Sequence, residues 1–261
     1  MKDPYLYPDS EVLKNLGDVR DVQELKDMEA DYTLYRLSEM VTDAPWENFD
    51  FQSLCEMHHC IFQDVYEWAG KPRIVNIEKS EVVLGELSIE YSDCFDIDRD
   101  AKWILREMNC FDWKRESFDC VVKNLSDFMA ALWKVHPYRE GNTRTIVTFC
   151  SMFIEGQGIY IESDLFKDNA SYMRDALVAA NAVFHDLGDL RKPEYLYRIV
   201  QDALEQGREM QEEIEKRIRE AGLSVTDEHT KRIVLWNRRE KKEHTIDEIK
   251  EYLASTDGHK G

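Results

Sequence analysis

The sequence predicts a mainly α-helical fold, and three features of its 261 residues indicate this. Apolar residues recur every three or four positions along 116–135, which is the period of a helix buried on one side. A second apolar stretch follows at 143–154, and a third periodic stretch begins at Pro193. With 43% hydrophobic residues, the chain suffices for one substantial domain with an appendage.

The stretch 54–62 is expected to be helical because its apolar residues keep helical spacing. It also contains two cysteines and two histidines, residue types that bind zinc. Cys55 and Cys60 lie five positions apart and do not share a helix face, so we interpret this segment as a helix rather than a metal site. The six cysteines of the chain show no paired framework, as expected for reduced thiols.

One β element is predicted in the chain. The β-rich runs Arg73–Ile77 and Val82–Leu84 are separated by the polar residues Glu78–Glu81, which predicts a small β-hairpin.

The helix predicted over Glu116–Val135 leads directly to His136. His136 continues the apolar row of Met129 and Trp133 at helical spacing, so its imidazole is expected to point toward the protein body. Pro137 favours an exit from helical geometry. We therefore expect His136 in a pocket wall, where an imidazole that titrates near neutrality can serve as a general base.

The loop that follows leads into a helix whose beginning suits a phosphate. Gly141 permits a turn that other residues resist, Asn142 is a favourable N-cap, and Thr143–Ile154 is predicted to be helical. The free amides of a first turn and the helix dipole form an anion site, and Arg144 adds donors suited to phosphate. Glu140 beside phosphates is best explained as a ligand of Mg²⁺, a hard cation.

Three helices are predicted at the C-terminal end, over Pro193–Glu220, Asp227–Lys241 and Thr245–Leu253. The first becomes highly charged beyond Leu204, so we divide the chain into a catalytic domain at 1–204 and a charged helical extension at 205–261. The extension is either a partner or oligomer module or a solvated appendage.

Residues 136–144, His-Pro-Tyr-Arg-Glu-Gly-Asn-Thr-Arg, resemble the signature of the Fic family, His-x-Phe-x-Asp/Glu-Gly-Asn-Gly-Arg-x-x-Arg. Tyr138 stands where the family usually has Phe. The stretch 58–73 resembles the family's second hallmark, and 7–16 resembles its N-terminal segment. The resemblance covers residues 5–203 and implies a Fic-like helical bundle with a small β-hairpin flap, followed here by the C-terminal extension.

The resemblance implies a nucleotidyltransferase, specifically a protein adenylyltransferase that moves AMP from ATP onto a Tyr, Thr or Ser hydroxyl of a target protein or of itself. It also implies Mg²⁺ as cofactor, His136 as the catalytic base and Glu140 as the metal ligand. The residues implied to bind the nucleotide are Lys79, Arg139, Gly141, Asn142, Thr143 and Arg144. An extended target segment would pair with the flap by β-strand addition, at Ile77, Glu78, Lys79 and Ser80.

Two positions depart from the family pattern. The second arginine of the motif is Val147 here, which puts triphosphate binding and glutamate-based self-inhibition in doubt, and the third glycine is Thr143. The family's inhibitory pattern matches only 151–156, on the helix after the active loop, and we interpret this match as chance. Inhibition by a homo-oligomer or a separate partner chain stays open.

A formal net charge of −19 argues against nucleic-acid and membrane partners, because phosphate-rich surfaces attract proteins with a surplus of Lys and Arg. The N-terminus has no apolar signal core, so a cytoplasmic protein is expected, with export by an unrecognised route as the alternative. Two other functions stay open: transfer of another nucleotide or phosphate group by the same fold, and a nucleotide-binding module without turnover.

Overall fold

The computed structural model describes residues 3–40 and 46–257, which fold into α-helices with one two-stranded sheet. The mainly α-helical class predicted from the sequence is confirmed. The elements are α1 (Val22–Met40), α2 (Phe51–Phe62), α3 (Ile97–Cys110), α4 (Phe118–Val135), α5 (Asn142–Gly156), α6 (Asp164–Asp168), α7 (Ala170–Ala180), β1 (Val183–Phe184), β2 (Gly188–Asp189), α8 (Glu194–Glu220), α9 (Asp227–Glu240) and α10 (Ile246–Asp257).

Helix α4 is the centre of the fold and packs against α3, α5, α7 and α8. Ser117 caps its N-terminus by accepting a hydrogen bond from the Cys120 amide. Leu125, Met129 and Trp133, which define its predicted apolar side, are fully buried. Helix α5 packs on α2 and α4, so the loop that joins α4 to α5 is anchored in the core at both ends.

The start of α5 corrects one prediction. Gly141 occupies the N-cap position with φ +83°, and Asn142 is the first helical residue rather than the cap. The buried Asn142 side chain instead accepts from the amide of Tyr138 and donates to its carbonyl oxygen. Asn142 therefore stabilises the loop before the helix, since its two polar atoms are both used there.

The predicted strands at Arg73–Ile77 and Val82–Leu84 are wrong in detail. Residues 73–80 have no regular secondary structure, and Val82–Leu84 is a 3₁₀ turn closed by a single antiparallel bridge between Glu81 and Leu87. Val82 is 82% exposed, so its side chain has no surface to pack against. Without that packing, a β-branched residue does not stabilise a strand. The two-stranded sheet lies elsewhere, where β1 pairs antiparallel with β2.

The C-terminal helices were predicted well, and they enclose a second apolar cluster. Helix α8 runs unbroken across residues 204 and 205, so the division into 1–204 and 205–261 remains a prediction. The capping box at the start of α10 is present, because Thr245 and Glu248 exchange hydrogen bonds. The second cluster contains Tyr160, Ile214, Ile218, Ile233, Val234, Ile249 and Leu253.

An ion pair attaches helix α9 to helix α5. Arg238 on α9 donates to both carboxylate oxygens of Glu155 in the last turn of α5, at 2.8 and 2.5 Å. Glu155 is thus engaged at the end of α5 opposite the active loop. Within the described residues, no helix is long and apolar enough to cross a membrane.

Helix α8 also crosses the chain segment at Tyr160, and this crossing yields a stability prediction. A Cβ added at Gly207 would lie 2.2 Å from the Tyr160 carbonyl oxygen. Alanine is the better helix former by about 1 kcal/mol, so helix propensity alone predicts stabilisation. We expect Gly207→Ala instead to lower the free energy of unfolding by about 1–3 kcal/mol because backbone has to move.

Urea unfolding of the unmodified protein and of Gly207→Ala measures the difference in their free energies of unfolding. Gly156→Ala is the matched control, because the atom nearest to its added Cβ, on Phe49, is 3.6 Å away, an ordinary contact. Equal stability of Gly207→Ala and the unmodified protein would contradict the prediction.

Candidate active site

His136 lies at the C-terminal end of α4 in the left-handed region, with φ 49° and ψ 59°. Its side chain is buried, as predicted, and only 1% of the residue is exposed. Nδ1 lies 3.3 Å from the carbonyl oxygen of Trp133. Because a carbonyl oxygen only accepts, Nδ1 carries the proton in this contact, and Nε2 carries the lone pair. Nε2 is buried without a hydrogen-bond partner, so no described group of the protein occupies the lone pair of the basic nitrogen.

Two aromatic rings hold the imidazole of His136. The ring of Tyr91 stacks on it with centroids 4.0 Å apart, and the indole of Trp133 meets it edge-on at 5.1 Å. Burial, followed by the nearby charge of Lys79, holds the pKa of His136 well below its usual range. His136 is therefore a neutral base at physiological pH.

Glu140 is the carboxylate of the active loop. Its Oε2 pairs with Nζ of Lys79 at 3.0 Å, and its Oε1 accepts from the Gly141 amide at 3.0 Å. Burial alone would raise the pKa of this carboxyl, but Lys79 and the Gly141 amide together lower it to about 2. The carboxylate is one third exposed and ionised, so it can exchange its lysine partner for a hard cation. Lys79 is thus the predicted flap residue that the structure brings to the site.

The beginning of α5 has the free amides that the predicted anion site requires. Its first intrahelical acceptor is the Gly141 carbonyl, which bonds the Thr145 amide. The amides of residues 142–144 therefore have no carbonyl partner within the helix. Gly141 is required here, because a Cβ on it would lie 2.3 Å from the ring of Phe62 and its φ is +83°.

The two arginines in residues 136–144, Arg139 and Arg144, are both engaged by acidic residues near the N-terminus. Arg144 forms an ion pair with the buried carboxylate of Glu29 and donates to Thr33 Oγ1 at 2.7 Å, both on α1. Tyr66 donates to the second oxygen of that carboxylate. Arg139 donates to Asp3 at 2.8 Å. The predicted phosphate ligand Arg144 is beside the loop and 38% exposed, whereas the Arg139 guanidinium is turned to the N-terminal segment.

His58 is a site residue whose role the sequence analysis missed. It is fully buried, and its ring stacks between Tyr138 at 3.8 Å and Phe62 at 4.7 Å. The Gly70 amide donates to Nδ1, so Nε2 carries the proton and donates to the Glu140 carbonyl oxygen at 3.0 Å. Burial lowers the pKa of His58 to about 3. His58 therefore supports the active loop from below as a neutral donor.

The two departures from the motif have different surroundings. Thr143 lies in α5, and its hydroxyl oxygen accepts from the indole N–H of Trp133 at 2.9 Å. Val147 is buried in the main core, with 9% of the residue exposed. An apolar contact thus stands at the position of the second arginine.

The predicted docking residues 77–80 lie in the irregular segment before the 3₁₀ turn. Exposure alternates along them, with Glu78 and Ser80 exposed and Ile77 and Lys79 half-buried, as in an extended chain. The Lys79 amide donates to Ser88 Oγ at 3.0 Å, which ties this segment to the chain that returns after the 3₁₀ turn.

Comparison with known proteins shows which family this chain resembles. The Fic/DOC family model matches residues 48–154. The chain is 33% identical over 164 residues to Probable protein adenylyltransferase y4lH of Sinorhizobium fredii, covering 62% of this chain and 80% of that protein. It is 29% identical over 162 residues to Protein adenylyltransferase VbhT of Bartonella schoenbuchensis, covering 62% of this chain and 33% of that protein.

Solved structures show the same fold. The BepC protein of Bartonella tribocorum, crystallised with bound AMPPNP, matches with a TM-score of 0.63 and 20% identity, covering 76% of this chain and 95% of that chain. An N-terminal Fic domain of Bartonella quintana with bound ADP matches with a TM-score of 0.63 and 22% identity, covering 76% and 93% of the two chains.

The buried His58 leads to a pH prediction. Because its pKa in the folded protein is about 3, below the ordinary 6.5, the stability it contributes is complete above pH 6.5. That stability is lost as the pH falls from 6.5 toward 3, since the unfolded chain binds the proton first. We expect His58→Gln, which retains an amide donor but does not titrate, to show a stability slope smaller by about 1.4 kcal/mol per pH unit between pH 6 and 4.5.

Chemical denaturation of the unmodified protein and of His58→Gln across this pH range measures the two stability slopes. Taking their difference removes the contribution of the carboxylates that titrate in both proteins. Parallel slopes would show that His58 is protonated in the folded state.

Proposed function

The chain belongs to the Fic/DOC family, and on that premise we propose that it is a protein adenylyltransferase that transfers AMP from ATP to a hydroxyl of a target protein or of itself. The observation that carries the proposal is the state of His136. Its imidazole is neutral, buried and oriented so that the Nε2 lone pair is available, next to the ionised Glu140 and the N-terminus of α5.

In this reaction the target hydroxyl approaches Nε2 of His136. Nε2 accepts the hydroxyl proton while the oxygen attacks the α-phosphorus of ATP, and the bond from that phosphorus to the bridging oxygen breaks. AMP is then joined to the target through a phosphodiester, and pyrophosphate leaves. The imidazole is held by Tyr91 and Trp133, so the base is in position before the hydroxyl arrives.

The negative charge that develops on the phosphate is stabilised by groups already in place. The amides of Asn142 to Arg144 at the start of α5 donate to it, and the helix dipole favours it. Arg144 has to exchange its carboxylate partner Glu29 for a phosphate oxygen, or bind phosphate with donors that Glu29 leaves unused. Positioning and electrostatics thus account for the catalysis.

The residues present fit a Mg²⁺ ion, which proteins usually bind with one or two carboxylates together with substrate phosphates. Glu140 offers one ionised and partly exposed carboxylate. When bound, the ion would neutralise phosphate charge. Within the described residues no cluster of three or more acidic, histidine or cysteine side chains suits a metal, so the phosphates would have to complete its coordination.

The proposal extends to the surroundings of the reaction. Residues 77–80 would receive an extended target segment by β-strand addition, since they alternate in exposure as an extended chain does and belong to no sheet of the described residues. The proposed location is the cytoplasm.

Inhibition would come from oligomer formation or from a separate partner chain, because Glu155 is engaged by Arg238. Residues 205–261 are proposed as a helical extension of the catalytic domain.

Labelling with ATP that carries ³²P in the α- or the γ-position tests the function. We expect α-label, and not γ-label, to enter the protein itself or a protein of an added extract, because AMP retains only the α-phosphate. His136→Ala should reduce incorporation by at least about 100-fold, since general base catalysis contributes about 10²–10⁴-fold. His185→Ala is the control, as its side chain is 90% exposed.

Incorporation of γ-label that depends on His136 would select phosphate transfer instead. ATP binding with no incorporation of either label would select the nucleotide-binding module without turnover.

The role of Glu140 is tested by binding rather than by turnover. We expect Mg²⁺ to raise the affinity of the unmodified protein for a fluorescent ATP analogue relative to EDTA. Glu140→Ala should remove most of this increment because the ion loses its protein ligand. Glu78→Ala, on an exposed side chain of the flap, is the control and should retain the increment. An undiminished increment in Glu140→Ala would contradict the assignment.

A further inference from the structure

Arg73 is a buried arginine to which neither the motif nor the mechanism assigns a role. Only 2% of the residue is exposed, although an arginine always carries its charge. Nε donates to the carbonyl oxygen of His136 at 2.8 Å, and Nη1 donates to the carbonyl oxygen of Val75 at 2.8 Å. Nη2 donates to the carbonyl oxygen of Ser92. Burying a charge is costly unless its hydrogen bonds are made, and here the guanidinium fork makes them to main-chain oxygens.

The bond to His136 falls at a strained position. His136 is not glycine, yet its backbone lies in the left-handed region. This conformation is unfavourable for a residue with a Cβ and persists only where surrounding contacts hold it. The main chain of Arg73 contributes as well, because its amide donates to the Pro137 carbonyl oxygen at 2.7 Å. Two consecutive carbonyl groups, those of His136 and Pro137, are thus held by one residue.

The other two carbonyl acceptors of Arg73, those of Ser92 and Val75, lie in the segments next to His136. Ser92 directly follows Tyr91, whose ring stacks on the imidazole with centroids 4.0 Å apart. Val75 and Asn76 lie at the start of the flap, and Asn76 donates to Asp93 at 2.8 Å. One guanidinium therefore connects the backbone of the base, the segment that carries its stacking ring and the start of the flap.

We propose that Arg73 is a positioning residue that holds His136 and Tyr91 in register for proton transfer. The proposal rests on the function proposed above. Lysine cannot replace arginine in this role, because a single ammonium cannot reach the carbonyl oxygens of His136, Val75 and Ser92 in the planar arrangement that the guanidinium fork provides. Arg73 acts on the reaction only through His136 and touches no reacting atom.

The test is the rate of AMP incorporation in Arg73→Lys, which retains the charge. We expect the rate at saturating ATP to fall about 10- to 100-fold, because a misplacement of about 1 Å can cost 10²-fold. The ATP concentration that gives half the maximal rate should change by less than about 2-fold, since the phosphate site at α5 is untouched. A role limited to folding would reduce the amount of active protein and leave the rate per folded molecule unchanged.

The matched control is Arg36→Lys. Arg36 is also held by several bonds, to Asp64 at 2.6 Å and to Glu39 at 2.8 Å, but it lies outside the site. This variant should retain the rate of the unmodified protein within about 2-fold.

A second readout does not depend on turnover. The ¹⁵N spectrum of the histidine side chains reports the tautomer of each ring, and the His136 signal is identified by its loss in His136→Ala. We expect this signal to shift in Arg73→Lys and to stay unchanged in Arg36→Lys. Arg73→Gln, which retains an amide donor, takes the place of the lysine variant if the latter is unfolded.

An unchanged His136 signal together with an undiminished rate in a folded Arg73 variant overturns the proposal. Absence of AMP incorporation in the unmodified protein overturns the proposed function instead, while the His136 signal still decides the role of Arg73.

Discussion

The left-handed turn at His136 is the constraint on which the rest of the site depends. A helix that continued past Val135 would carry the imidazole along the α4 axis, whereas the turn ends the helix and leaves the ring against Trp133 and Tyr91. The same turn starts the loop that brings Glu140 and the N-terminus of α5 next to the ring. Because the conformation is unfavourable for a residue with a side chain, it requires the neighbouring bonds that hold it. The imidazole of His136 and the N-terminus of α5 are thus positioned by one backbone feature.

Charge around the loop is arranged in ion pairs. The chain has a formal net charge of −19, yet ATP adds further negative charge. Three cations near the loop, Lys79, Arg139 and Arg144, each pair with a carboxylate, of Glu140, Asp3 and Glu29 respectively. Each carboxylate holds its cation in place and offsets the repulsion between neighbouring cations. In the function proposed above, the polyphosphate of ATP would compete with these carboxylates for the same donors, so its affinity would reflect a difference between two sets of ion pairs.

Much of the fold was predictable because its main helices have a clear apolar period, as with α4, α5 and α8. The order of the motif residues also placed His136, Glu140 and Gly141 together, since short spacing along a loop limits their separation. The role of His58 was not predictable, because the residue lies 78 positions before His136 and only the packing of α2 against α5 brings it under the loop. The flap was misjudged for another reason: β-branched residues predict strands, but exposed ones have no partner surface that stabilises them.

The two departures from the motif follow from what each position contacts. Position 143 lies inside the first turn of α5, where ordinary helical geometry does not need glycine, and the threonine hydroxyl accepts a hydrogen bond from Trp133. Trp133 packs on the imidazole of His136, so this bond also fixes the ring against which the imidazole lies. Position 147 is one turn further along and packs in the core. A guanidinium there would have to leave that core to reach a phosphate, whereas valine contributes apolar contact. In the function proposed above, phosphate recognition would therefore depend on the α5 amides and Arg144 rather than on two arginines.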